Sequence, residues 1–355
     1  MKIFSLFDGM SVAQQAISEI YKDYTYYASE IDEYAIAVTQ SNFPNTRQWG
    51  DIKNIHPVNQ LLFSRTGVGG NFNLLIGGSP CQDLSIAKKG RKGLDGERSG
   101  LFYDYVRILN QTKPKYFILE NVASMSKESK DKISEVLGIQ PVMINASLVS
   151  AQNRKRLFWV GAYSPLDDKY YTVAIPQPED RNILLKDILI DGIAEREKSL
   201  VVTATYSRAC PQDYFGKSNR QLIKVGEFNK GGQGDRVYSV QGKSVTLSGN
   251  GGGRGAKTGI YAVAFRNRGQ GKKPELGGEK ANAMTSVQTD SMVSENFLYR
   301  RLHPIETLRL QSMPDNYFDK AIYKNKPISN SQRYKMCGNA FNKEVVKHII
   351  KQLDL

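Results

Sequence analysis

The chain has 355 residues, 40% of them hydrophobic and 24% charged, and a net charge of +14 from 49 basic and 35 acidic side chains. No apolar run approaches the roughly 18 residues that cross a bilayer, which argues against a helical membrane protein. Only three cysteines (Cys81, Cys210, Cys337) and three scattered histidines (His56, His303, His348) occur, which argues against a disulfide framework and against a histidine metal site.

The length exceeds that of a usual single domain, so two domains are expected. From the amino terminus, Ile3–Phe7 reads as a strand and Ser11–Ile20 as a helix, with Val12, Ala16, Ile17 and Ile20 near helical spacing. Tyr24–Ala28 reads as a second strand, and Tyr34–Val38 opens a second helix. The run Leu74-Leu75-Ile76 is a third strand, followed by a helix over Leu101–Leu109. Tyr116–Leu119, Val142–Ile144 and Leu157–Val160 continue the strands. Alternation of this kind predicts an α/β fold with a mostly parallel sheet covered by helices.

The character changes near residue 192. Residues 193–300 hold 16 of the 31 glycines and carry 17 Lys+Arg against 9 Asp+Glu, an excess of +8. Such a segment reads as loops with short strands that meet a polyanion. Gly249–Gly255 lacks the Lys-Ser/Thr pair of a phosphate loop and is not read as one. Helical spacing returns at Phe341, Val345, Val346, Ile349, Ile350 and Leu353, so the α/β domain is discontinuous.

Several short stretches carry the chemistry. Gly77-Gly78-Ser79-Pro80-Cys81-Gln82 places a thiol just past a strand's carboxyl end, where open α/β sheets hold ligands. The loop that follows, Gln82–Gly100, has Gly90, Gly93, Gly96 and Gly100 as hinges and Lys88, Lys89, Arg91 and Lys92 for phosphates. The first turn, Phe7-Asp8-Gly9, lies where a nucleotide approaches the first helix, and Glu30 follows about 20 residues on, placed for ribose hydroxyls. Asp51, after Trp49-Gly50, is placed for an adenine amino group. Glu120 ends an apolar run, so partial desolvation suits it to proton transfer. In Gln152-Asn153-Arg154-Lys155-Arg156, strand alternation puts Gln152, Arg154 and Arg156 on one face, a positive row that favours a nearby thiolate.

Taken in order, these stretches resemble the DNA cytosine-5 methyltransferases of restriction-modification type. The motifs are Phe7-Asp8-Gly9, Glu30, Gly50-Asp51-Ile52, Pro80-Cys81-Gln82, Leu101-Phe102, Glu120-Asn121-Val122, Gln152-x-Arg154-x-Arg156, Arg301-Leu302-His303-Pro304 with Glu306, and Gly338-Asn339-Ala340. Where the family often has an aromatic after the ribose-binding acid, this chain has Ile31.

The resemblance implies a Rossmann-like S-adenosylmethionine-dependent methyltransferase sheet with an inserted, smaller, irregular β-rich target-recognition domain. The expected division is a catalytic domain of residues 1–192 and 322–355, with 193–321 as recognition domain and hinge. Cys81, Glu120, Arg154 and Arg156 are expected at the chemistry, with Cys81 attacking carbon 6 of a flipped cytosine, Glu120 at ring nitrogen 3 and Arg154 on the ring carbonyl. S-adenosylmethionine is expected against Phe7, Asp8, Gly9, Glu30, Ile31, Asp51, Ile52, Pro80, Leu101, Asn339 and Ala340, with no metal. Duplex DNA is expected against Gln82, Ser85, Lys88, Lys89, Arg91, Lys92 and Arg98. The chain is expected to act as a monomer on double-stranded DNA, away from membranes, with any cognate restriction endonuclease acting separately. The opening residues, soon acidic, do not read as a signal peptide, so a bacterial, phage or viral enzyme of the cytoplasm is expected. A tRNA cytosine-5 methyltransferase of the same fold and a catalytically silent DNA-binding relative are the alternatives.

Overall fold

The computed structural model describes residues 1–55, 72–79, 101–210, 212–227, 237–239, 260–262, 291–294 and 297–355. Eight strands form the main sheet: β1 (Lys2–Leu6), β2 (Thr25–Ser29), β3 (Arg47–Gln48), β4 (Leu74–Gly78), β5 (Tyr116–Val122), β6 (Val142–Asn145), β7 (Lys155–Ser164) and β8 (Lys169–Thr172). Their spatial order is β3-β2-β1-β4-β5-β7-β6, with β8 paired to β7. Strands β1 to β5 are mutually parallel, whereas β7 runs antiparallel to β5, β6 and β8. This is the doubly wound α/β sheet that the alternation predicts. The antiparallel β7 is the departure, and it follows from the short β6–β7 connection, which leaves no room for a crossover helix.

Central strands are buried on both faces, and their side chains divide cleanly between two cores. Phe4, Leu6, Leu75, Phe117 and Leu119 point to one face, packing with Phe102, Tyr105 and Ile108 of α3 (Leu101–Thr112) and Ile133 of α4 (Lys127–Leu137). Ile3, Leu74, Ile76 and Ile118 point to the other. There they meet Ala13, Ala16 and Ile17 of α1 (Val12–Ser18) and Val346, Ile349 and Ile350 at the C-terminus. The period-2 alternation of side chains along a strand produces this division. Helix α2 (Glu33–Asn42) connects β2 and β3.

The later part of the chain adds α5 (Leu185–Ile188), β9 (Ile223–Glu227), β10 (Val237–Ser239), β11 (Ile260–Ala262), β12 (Ser291–Ser294), β13 (Phe297–Arg300), α6 (Pro304–Leu310), β14 (Ile322–Tyr323) and β15 (Lys326–Pro327). It ends in α7 (Asn330–Asn339) and α8 (Lys343–Ile350). Strands β12, β13 and β9 form an antiparallel sheet with a bulge between Leu298 and Tyr299. Its core joins Leu185 and Ile188 to Val202, Tyr206, Ile223, Tyr299 and Leu302, and also takes in Tyr334 of α7. Apolar packing therefore crosses the expected boundary at 192. It crosses at 321 as well, because Leu308, Met313, Tyr317 and Phe318 pack with Met10, Val12 and Val38.

A buried Glu306, with no exposed surface, organises this join. It receives two charge-assisted bonds of 2.7 Å from Arg300 and the backbone N–H groups of Ile190 and His303 at 2.8 and 2.7 Å. A buried carboxylate needs such saturation to offset its desolvation. No helix among the described residues is long and apolar enough to cross a membrane.

Candidate active site

The strand order reverses between β1 and β4, so the crevice for a ligand lies at the carboxyl ends of these strands. The turn leaving β1 is unusually bent: Phe7, Gly9 and Ser11 all have left-handed φ, of 56°, 58° and 57°. For Phe7 and Ser11 this costs of order 1 kcal/mol each, a form of strain that concentrates at functional turns.

Two carboxylates hold the turn. Asp8 is 6% exposed, and its side chain faces inward, accepting hydrogen bonds from Tyr26 Oη at 2.8 Å and from Ser11 Oγ. Burial pushes its carboxyl up to about 6, against the opposing effect of the bonds from Ser11, Ser5 and Tyr26. Burial, and then the Asp8 charge, push the Tyr26 phenol well above its ordinary range, so it stays a donor. Asp8 belongs to the turn expected against the cofactor, and its carboxyl group faces the core.

Glu30 spans the crevice edge. Its Oε2 accepts from Gly9 N at 2.7 Å, and its Oε1 accepts from the N–H groups of Ile31 and Asp32, both at 2.8 Å. A carboxylate offers about four lone-pair sites, so three are committed and one remains for a hydroxyl. Phe7 and Leu101 are half-buried against the core that holds Leu6 and Phe102, half-buried Ala340 packs against the Met10 and Val12 core, and Asn339 is exposed. Ile31 stands 70% exposed, an apolar surface of the kind a purine face covers. Asp51 accepts from Lys53 N at 3.0 Å and caps the short turn that begins at Ile52. Ile52 itself is 3% exposed and its side chain belongs to the core.

The second half of the site is built where β4 and β5 end. Gly78 and Glu120 are direct partners in the parallel ladder. A Cβ on Gly78 would lie 2.9 Å from Glu120 Oε2 and 3.1 Å from Phe341 Cε1, so any side chain there would push the carboxylate and the ring aside. On its other side Glu120 pairs with Arg156, Nε to Oε1 at 2.8 Å, with side chains 13% and 16% exposed. The next residue, Asn121, is 1% exposed and donates to Ser79 Oγ at 3.1 Å and to Ser79 O at 3.4 Å. It thereby ties the end of β5 to the residue before Pro80-Cys81.

Arg154 departs from its expected place. It is 3% exposed, and its guanidinium donates to the backbone carbonyls of Val202 at 3.2 Å, Gly338 at 3.0 Å and Ala340 at 2.6 Å. Arg156, not Arg154, therefore carries the positive charge beside Glu120. The expected common face holds only in part. Arg154 and Arg156 line one pocket with Glu120, whereas Gln152 accepts from Gln311 at 3.1 Å and is sealed in a seam with Ser199.

Pro80, Cys81, Gln82, Ser85, Lys88, Lys89, Arg91, Lys92 and Arg98 lie outside the described residues, as does Gly249–Gly255. The other two thiols occupy structural positions. Cys337 is fully buried and pushed up to about 12 by that burial. Cys210 donates to Asp213 at 3.3 Å. The sequence reading gave Gly78, Asn121 and Gly338 no role of their own, although each lies inside a stretch it names: Gly77-Gly78-Ser79, Glu120-Asn121-Val122 and Gly338-Asn339-Ala340.

A doubly wound sheet with an acid-held first turn and an acid–arginine pair at the neighbouring strand ends forms a Rossmann-like ligand crevice. The C-5 cytosine-specific DNA methylase model matches residues 1–354, and the chain belongs to that family. Its relatives include the type II methyltransferase M.HhaI of Haemophilus parahaemolyticus, 28% identical over 364 residues, covering 98% of this chain and 93% of that protein. The orphan methyltransferase M.SPRI of Bacillus phage SPR is 26% identical over 446 residues, covering 99% and 97%. Among solved structures, the Entamoeba histolytica methyltransferase EhMeth superposes with a TM-score of 0.56 at 16% identity, covering 99% and 97% of the two chains. Spodoptera frugiperda DNMT2 superposes with a TM-score of 0.55 at 19% identity, covering 99% and 98%. At these identities the structural likeness shows the fold.

Proposed function

We propose that the protein transfers a methyl group from S-adenosylmethionine to carbon 5 of a cytosine within a specific duplex DNA sequence. The observation that carries this reading is the Glu120–Arg156 pair, seated against Gly78 at the end of the strand that leads into Pro80-Cys81-Gln82. S-adenosylmethionine supplies an electrophilic methyl group when bound. The donor set fits it: the open site on Glu30 and the Asp51 carboxylate suit an adenosine's hydroxyl and amino groups, and exposed Ile31 suits its ring.

Carbon 5 of cytosine is a weak nucleophile until a covalent bond at carbon 6 turns the ring into an enamine. Cys81 is the thiol left for that bond, since Cys337 is buried and raised and Cys210 is tied to Asp213. The attack adds Cys81 Sγ to carbon 6 and pushes electron density to ring nitrogen 3. Glu120 holds a proton at that nitrogen, and Arg156 steadies the Glu120 carboxylate and meets the ring carbonyl, the role first expected of Arg154. Once carbon 5 carries the methyl group, loss of its proton to water expels Cys81 as thiolate, and the proton on ring nitrogen 3 returns to Glu120, which restores the aromatic ring. Stacked bases hide carbon 6, so the target must leave the helix at a cost of a few kcal/mol. The Gln82–Gly100 loop, with its lysines and arginines, is suited to close over it. The basic 193–321 segment reads the flanking sequence.

The test is bisulfite sequencing of DNA from cells expressing the protein, beside methyl incorporation into purified tRNA. Methylation at one DNA sequence is expected. Incorporation into tRNA alone would select the tRNA alternative, and none in either the silent one. A duplex carrying 5-fluorocytosine at the site blocks the last elimination, so wild-type protein should accumulate a covalent adduct and Cys81→Ser should not.

A further inference from the structure

Arg154 joins three stretches of chain. Its backbone is fixed to the end of β6, donating to Asn145 Oδ1 at 2.9 Å. Its guanidinium reaches Val202, on the strip that enters the basic insert, and Gly338 and Ala340, which bracket Asn339 on the expected cofactor wall. Planar guanidinium forks fix both distance and angle between the groups they bind, unlike an ammonium.

A second feature marks the same joint independently. An added Cβ on Gly338 would lie 2.2 Å from Thr203 C and 2.3 Å from Ala204 N, so α7 and the 203–204 strip touch backbone to backbone. The strip is pinned behind this contact by Ser199 N to Ala151 O at 2.7 Å and Asn153 N to Ser199 O at 3.0 Å. Ahead of it, Tyr206 stacks edge-on to Tyr334 of α7 and donates to Gln221 O at 2.5 Å, at the entrance to β9. Two residues beyond Arg154 along the same extended chain stands Arg156, on Glu120.

We propose that Arg154 is a positioning residue, which sets the recognition segment at a fixed distance from the Glu120–Arg156 pair. The proposal rests on the reading of the 193–321 segment as the DNA-reading module. A flipped base must reach the thiol while its neighbours stay on that module, so a displacement near 1 Å at this joint separates binding from chemistry.

The experiment combines Arg154→Lys, Gly338→Ala and the double variant. Hydrogen exchange should quicken at residues 199–206 in Arg154→Lys, and this readout needs no substrate. On the target duplex, kcat should fall about 100-fold, while S-adenosylmethionine affinity weakens far less. Because both changes open one joint, the double variant should be little worse than the poorer single variant. Unchanged exchange at 199–206, wild-type kcat in Arg154→Lys, an affinity loss as large as the kcat loss, or multiplying losses in the double variant would each overturn the proposal. A wild-type protein that modifies no DNA overturns the functional reading instead, and the exchange result still decides whether the joint exists.

Discussion

Gly78 and Glu120 face each other across the β4–β5 ladder so closely that a methyl group on Gly78 would lie 2.9 Å from the Glu120 carboxylate. The carboxylate is thus held from two sides, by a strand with no side chain and by Arg156 at 2.8 Å. It has little freedom to leave the point where the chain departs for Cys81.

Gly78→Ala should displace Glu120 and the Phe341 ring together. Overpacking of this kind costs about 1–3 kcal/mol of stability. The catalytic loss should be larger, on the order of 100-fold in kcat, because the displaced group is the one proposed to meet the ring. Thermal melts beside single-turnover methylation check both; a variant with a shifted Tm and full kcat would refute the assignment of Glu120.

Arg156→Ala leaves a mostly buried carboxylate without its partner. Breaking a buried pair costs about 3–5 kcal/mol, with this pair's residual exposure placing it at the lower end. Glu120→Gln keeps the shape and removes the charge, so it should retain the fold yet fail to support the cysteine adduct. Adduct formation with 5-fluorocytosine DNA, read by gel shift, separates the two variants, and normal trapping by Glu120→Gln is the result that contradicts the proposed proton role.

Asn121→Ala frees Ser79 and leaves buried polar atoms unpaired, at about 1–3 kcal/mol. Adduct formation should slow, because the turn before Cys81 loses its anchor to β5. S-adenosylmethionine binding, measured by calorimetry, should stay at the wild-type value, since neither Ser79 bond touches Glu30 or Asp51.

Asp8 imposes a pH dependence on stability. Its carboxyl is raised by burial from 3.8 to about 6, so the folded state binds a proton more tightly than the unfolded state. The stability this provides is complete below about pH 4 and is lost as pH rises to 6, amounting to about 3 kcal/mol at roughly 1.4 kcal/mol per unit. Asp8→Asn has no such loss. Its Tm relative to wild type should rise between pH 4 and pH 7; a difference that stays flat would place the Asp8 carboxylate in water.

Strands β1, β2 and β4 to β7 and helices α1, α2, α3 and α8 were legible in the sequence because their signal is local. Ile3–Phe7, Leu74–Ile76 and Tyr116–Leu119 declare themselves by apolar runs, and the C-terminal helix by spacing. Helix α4 was less visible, since its sequence Lys127–Leu137 shows mostly charged residues and buries only Ser129, Ile133, Ser134 and Leu137. Helix α7 was hidden for a similar reason, as its buried face is built from Tyr334, Met336, Cys337 and Gly338.

Within the site, the identity of the acids and arginines was also legible, because motif order survives in one dimension. Their orientation was not. Arg154 and Arg156 are two residues apart and look equivalent in sequence, yet one is enclosed by carbonyls from residues 202, 338 and 340 and the other meets Glu120. Asp8 and Glu30 both looked like ligand-facing acids, and only the fold turned Asp8 toward Tyr26 and spread Glu30 over three backbone N–H groups.

The sequence by itself determined the class of fold and the family, and it supplied the candidate side chains, since these depend on local periodicity and on residue types in order. Only the tertiary structure decided which arginine pairs with the acid, why a side chain at Gly78 would crowd Glu120 and one at Gly338 would meet backbone, and which turn Asn121 anchors. Each of those is a contact between segments distant along the chain, and a distance in space is created only when the chain has folded.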